Sequence, residues 1–157
     1  MDAKLICMAQ TTYPLSLYEE DYTAWLDLTL AQLKQQKLSD LDWANLIEEI
    51  EGLGREQRHK IESYLLRLFI HLLLYEYWES ERTFSGKGWE KEIDNFRLEL
   101  DLLLESQTLH NHFLSILEKT YAKAKKFAAQ KSKLSITIFP DSCPYSIEQI
   151  LDFGWLP

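Results

Sequence analysis

The chain has no valine and few chain-breaking residues, with four prolines and five glycines among 157 positions. The prolines stand at 14, 140, 144 and 157, so positions 15 to 139 carry none. A proline inside a helix costs about 3 kcal/mol, and its absence over that length permits long helices. The missing valine, set against 28 leucines, argues against a β-rich domain. Cys7 and Cys143 are too few and too far apart for a disulfide framework, which fits a reducing cytoplasm. Long apolar runs are missing as well. The most apolar stretch, 65–74, contains Arg67 and His71 and is too short to span a bilayer. At the start, the run Leu5 to Ala9 is too short for the apolar part of a signal peptide. Positive charge is scarce: 17 basic residues face 25 acidic ones, a net charge of −8. Such a surface repels nucleic acid and anionic membranes, so neither is the expected partner. These absences predict a cytoplasmic protein.

The usual signatures of chemistry are absent too. Gly52-Leu53-Gly54 lacks the strand and the lysine of a phosphate-binding loop. There is no Gly-x-Ser-x-Gly elbow and no Cys-x-x-Cys pair for zinc or redox work. No cofactor and no metal is expected from motifs.

Helical periodicity fills what remains. Tyr18, Tyr22, Trp25, Leu26, Leu30 and Leu33 form one apolar stripe and predict a helix over about 18–36. A second helix starts near Ser39 or Asp40, either of which can cap it. Its seam runs from Leu46 through Ile61, Leu68 and Leu72 to about Trp78, with Gly52 and Gly54 as the place for a break. Glu79 to Gly88 reads as a loop. A third helix follows with Trp89, Ile93, Phe96, Leu100, Leu103 and Leu104 on one side. Ser106 to Thr108 punctuates, Thr108 can cap a fourth helix, and that helix runs to about Lys133. Beyond it, 135–139 reads as extended, 140–144 as a turn, and Ser146-Ile-Glu-Gln149 as a capping box opening a short last helix. The expected fold is all-α and four-helix-bundle-like. A proline-containing tail packs across it, anchored by Phe139, Tyr145, Phe153 and Trp155.

The ordered series Tyr18-Glu-Glu-Asp21, Trp25, Asp42, Asn45-Leu-Ile-Glu-Glu49, Leu53-Gly-Arg55 and Arg58 resembles a known family. So do Leu65, His71-Leu-Leu73, Trp89, Ile93, Phe96-Arg97, Tyr121, Phe139-Pro140, Cys143-Pro-Tyr145 and Leu156-Pro157. The family is domain of unknown function 29, abundant in cyanobacteria. The resemblance implies a single all-helical domain over 17–157, behind an N-terminal extension at 1–16, and it implies no activity. Many members look like His-Leu-Leu-Lys where this chain has His71-Leu-Leu-Leu74.

Several side chains are candidates for a site. Glu49 lies beside the core seam and needs a partner there. Arg97 is one, either in an ion pair that sets helix register or beside a ligand carboxylate. His71, on an apolar face, is a satisfied core histidine or a general base. Along an unbroken helix about 33 Å would separate it from Glu49. Glu56 and His59 have a Glu-x-x-His spacing, but di-iron bundles need a second copy and two more glutamates. His110 and His112 point apart and cannot chelate one ion together. The lysines between 119 and 133 read as a solvated helix end or, as the other reading, an RNA-binding patch. Tyr75, Tyr77, Trp78, Phe84 and Trp89 straddle the expected loop. They either cap the bundle or, where exposed, present a binding surface formed by Tyr77, Trp78, Phe84 and Trp89. The expected role is a non-catalytic module that binds a protein partner or itself. The alternative is a metal-dependent hydrolase or nuclease using Glu49, His71 and Arg97.

Overall fold

The computed structural model describes residues 16–157, so the apolar run at Leu5 to Ala9, Cys7 and all but the last residue of the N-terminal extension lie outside the described residues. Among the described residues every regular element is a helix, and the fold is all-α as expected. The chain divides into two compact units that meet between Glu51 and Gly52.

In the first unit α1 (Leu17–Glu20) leads into α2 (Tyr22–Lys34). The single helix expected over 18–36 is interrupted at Asp21, whose backbone (φ −148, ψ 88) leaves the helical region. Asp21 then caps α2 by accepting a hydrogen bond from the Ala24 amide at 2.9 Å. A short 3₁₀ turn over Leu38–Asp40 follows, and α3 (Trp43–Tyr77) begins. Its cap is Asp42, whose Oδ1 accepts from the Asn45 amide at 3.4 Å. Ser39 and Asp40, the expected caps, belong instead to the 3₁₀ turn. The backbone stays helical through Gly52 and Gly54. A methyl group at either would meet only the tip of an arginine, Arg55 or Arg58, at ordinary contact distance.

The second unit holds the rest of α3 with α4 (Glu79–Leu104), α5 (Gln107–Ser132) and α6 (Ile147–Leu151). Leu65, Leu68, Phe69 and Leu72 of α3, Ile93 and Leu100 of α4, and Phe113, Tyr121 and Ala124 of α5 form one buried core. The cap of α5 is Ser106 rather than the expected Thr108, which lies inside the first turn, while the Ser146–Gln149 capping box opens α6 as the sequence predicts. Phe139, Tyr145 and Ile150 of the tail are buried in the same core, with Trp155 packed against it.

Phe153, expected to anchor the tail, is exposed instead, and two stretches of the second unit also differ from expectation. Glu79 to Gly88 is helical, forming the first turns of α4 rather than a loop. Trp78 alone leaves helical geometry (φ −103, ψ 64). Glu79 and Glu81 then suit the positive end of the new helix. Ser85 bonds back to Glu81, and Arg82 donates to the Tyr75 carbonyl at 3.0 Å while lying over the Tyr75 ring. These contacts offset the roughly 1 kcal/mol cost of each glycine in the segment. The stretch at 135–139, expected to be extended, contains a 3₁₀ turn over Ile136–Ile138, started by Ser135 accepting from the Thr137 amide.

Candidate functional site

In the first unit the periodic stripe of α2 has a different fate from the one its pattern predicts. Trp25 and Thr29 are the buried residues of α2. Tyr22, Leu26, Leu30 and Leu33, spaced to share one side of the helix, stand exposed. Trp43, Ile47 and Ile50 at the start of α3 are exposed too. The charge here is lopsided, with nine acidic residues against two basic ones between 16 and 51. The unit is therefore both apolar and strongly acidic on its surface.

A polar clasp holds this unit together. The Tyr18 and Tyr22 hydroxyls both donate to the Glu49 carboxylate, Tyr22 at 2.7 Å. Trp25 Nε1 donates to Asp42 at 3.2 Å, and the Tyr18, Tyr22 and Trp25 rings pack with centroids 4.8–5.9 Å apart. The two phenols, Tyr18 first, hold the Glu49 carboxyl below the usual carboxylate range. The Glu49 bond, helped by desolvation and charge, pushes the Tyr18 phenol up to about 12. Glu49 has its folded pKa depressed, so its contribution is complete above its ordinary value of 4.5 and fades as pH falls through the folded value. Tyr18 has its folded pKa raised, so its contribution is complete below 10.0 and fades as pH climbs to about 12. Wild type should therefore exceed Tyr18→Phe/Tyr22→Phe in thermal stability most between those ordinary values, with the gap closing toward either extreme. A gap that stays constant across the range, followed by circular dichroism melts, would show that the clasp contributes nothing.

Glu49, expected to pair with Arg97, is thus engaged by tyrosines, and Arg97 is engaged elsewhere. Arg97 is fully buried in α4. Its Nε donates to the Ile150 carbonyl at 2.9 Å, Nη1 to the Trp155 carbonyl at 2.9 Å and Nη2 to the Gln149 carbonyl at 3.0 Å. Burial pulls the guanidinium below its ordinary pKa, and Asp94 and Asp152 pull it back up. The arrangement locks the tail to α4. His71 also has a backbone partner: its Nδ1 lies 2.8 Å from the Arg67 carbonyl, which can only accept, so Nδ1 holds the proton. Burial lowers the imidazole pKa. No hydrogen bond joins any two of Glu49, His71 and Arg97.

A model of one protein family, described as Domain of unknown function DUF29, matches residues 17–156. The chain belongs to this family. No curated protein and no solved structure matches it. Membership of a DUF29 family assigns no chemistry, so the remaining candidates rest on their geometry.

Among the described residues no three His, Cys, Asp or Glu side chains stand close enough to hold a metal ion. Glu56 pairs with Lys60 at 2.7 Å rather than with His59. His112 approaches Glu62 at 3.4 Å. The aromatic candidates mostly turn inward. Trp89 is buried and stacks on Trp78 with centroids 5.9 Å apart, and Tyr77 packs edge-on against Phe139 at 5.3 Å. Tyr75 donates to Glu90 at 2.9 Å. Phe84, by contrast, is 84% exposed. Of the four expected binding aromatics, Tyr77, Trp78 and Trp89 therefore belong with the core and Phe84 faces outward. Among the late lysines, Lys125 pairs with Asp141 at 2.8 Å. Among the described residues no helix is long and apolar enough to cross a membrane.

Sequence reasoning missed the tyrosine clasp, although Tyr18 and Tyr22 were in view as apolar stripe members. It also missed the tail as the partner of Arg97, because main-chain acceptors leave no mark in a sequence. It also gave no polar partner to two buried tyrosines: Tyr145 donates to Glu76 at 2.7 Å, and Tyr121 to the Pro140 carbonyl at 2.8 Å.

Proposed function

We propose that this is a cytoplasmic protein-interaction module whose binding surface is the apolar, acidic face of the first unit, and whose partner is a basic amphipathic helix of another protein. The observation that carries this reading is the exposure of ten large apolar side chains between Leu17 and Ile50. Apolar area of that extent in so short a segment marks interaction surfaces in soluble proteins. The stripe Tyr22, Leu26, Leu30 and Leu33 has the spacing by which helices read one another. The excess of acid around it favours lysine and arginine on the partner and works against a second copy carrying the same charge. The late lysines and the buried aromatics give less support to a nucleic-acid partner.

The test uses two synthetic helical peptides with the same leucine pattern, one with lysine and one with glutamate at every polar position. The leucine–lysine peptide should bind the full chain saturably, with affinity that falls as salt rises. The leucine–glutamate peptide should not bind. Leu26→Asp/Leu30→Asp should weaken binding by about 100-fold, from roughly 1.5 kcal/mol of lost apolar contact at each position. Both side chains are exposed, so the fold should survive, and circular dichroism checks that it does. Equal binding of the two peptides, or binding that the double variant keeps, overturns the proposal. Dimerisation of the chain alone that the same variant abolishes would assign the face to a second copy instead.

A further inference from the structure

We propose that a cleft between α3 and α5, beside His71, binds a small apolar carboxylate. The cleft holds about 290 Å³ and is lined by Arg67, Ile70, His71, Phe127, Gln130 and Lys131. Its volume is roughly twice that of the ~150 Å³ cavity that takes a benzene-sized guest. The wall is mostly apolar, with Ile70 on one helix facing the exposed ring of Phe127 on the other. Two cations, Arg67 and Lys131, stand in the lining, and no acid does. Among the described residues neither cation has a carboxylate within ion-pair distance.

That combination selects the ligand. An uncharged arene would cover Ile70 and Phe127 but leave both cations without a counter-ion. Inorganic phosphate would satisfy the cations and leave the apolar wall wet. A compact body with one carboxylate does both, and an arginine with a lysine beside a low-dielectric wall is a strong carboxylate receiver. His71 closes the cleft with its proton held on Nδ1, which leaves Nε2 as a lone pair. The charged groups acting on the ring are Arg67 of α3, Lys131 of α5 and Glu92 of α4. A carboxylate added beside Arg67 and Lys131 offsets their repulsion of an imidazolium, so binding should draw a proton onto His71.

Benzoate is the probe, with benzyl alcohol and inorganic phosphate as its uncharged and body-less counterparts. Proton NMR of the His71 ring provides the readout. Benzoate should shift the His71 resonances saturably and move their titration to higher pH, and the other two should do neither. Arg67→Gln and Lys131→Gln should each weaken benzoate by about tenfold, the worth of one charge-assisted hydrogen bond, without changing the melting temperature. No saturable shift, an equal response to benzyl alcohol or phosphate, or binding that both variants retain overturns the proposal. The site lies in the second unit and is independent of the helix-binding face.

Discussion

Replacing Arg97 by alanine should destabilise the protein by about 4 kcal/mol, because one buried and two partly buried main-chain carbonyls lose their donors at once. All three nitrogens of the guanidinium are committed, each at 2.9–3.0 Å, to Gln149, Ile150 and Trp155. Arg97→Met separates packing from hydrogen bonding, since it fills much of the volume and donates nothing. It should recover only a small part of the loss. Arg97→Lys keeps the charge, but one ammonium on a flexible stem cannot reproduce a flat three-way fork, so about 2 kcal/mol should still be lost. Urea unfolding gives the stabilities, and Trp155 reports the tail. Its ring packs edge-on against Tyr145 at 5.4 Å, and its fluorescence should shift to longer wavelength as the tail leaves α4. If Arg97→Ala unfolds at the wild-type midpoint, the lock does not hold the fold together.

Tyr121→Ala should cost about 3–5 kcal/mol, the range for deleting a large aromatic from a packed interior. The ring is fully buried and meets Phe69 edge-on at 5.7 Å, which joins α5 to α3. Its hydroxyl donates to the Pro140 carbonyl at 2.8 Å, which joins α5 to the start of the tail. Burial first, then neighbouring charge, drives the phenol pKa upward, so it stays a donor at any ordinary pH. Tyr121→Phe isolates the second contact and should cost about 1 kcal/mol, plus whatever the Pro140 carbonyl loses by going unpaired. Equal losses for the two variants would mean that the ring contributes no packing, against its place in the core.

Much of this fold was legible in the residues. The absence of proline between 15 and 139 and the three- and four-residue spacing predict α3, most of α4 and α5. The capping box at Ser146 placed the start of α6 to the residue. Glu79 to Gly88 was misread because Gly86, Gly88 and two serines outweighed what supports the helix there. That support comes from Arg82 gripping Tyr75 and Glu81 bonding Ser85, contacts that exist only once the chain has turned at Trp78. The α2 stripe shows a different limit. Periodicity says that Tyr22, Leu26, Leu30 and Leu33 share a side, and it is silent on whether anything covers them. Glu49 was rightly singled out as needing a partner, but Arg97 was chosen by charge, and neutral phenols served instead. The cleft beside His71 joins residues some sixty positions apart, Arg67 and Lys131, which no local pattern links.

The Arg97 lock bears on which changes the tail can absorb. The guanidinium recognises main-chain oxygens, and every amino acid at 149, 150 or 155 would offer the same oxygen. Side-chain substitution there leaves the recognition itself untouched, and those positions are constrained by other contacts, the packing of the buried Ile150 and the Gln149 side chain that closes the capping box of α6. An inserted or deleted residue between 150 and 155 is another matter. It would slide one acceptor out of the fork while leaving the composition of the tail almost unchanged.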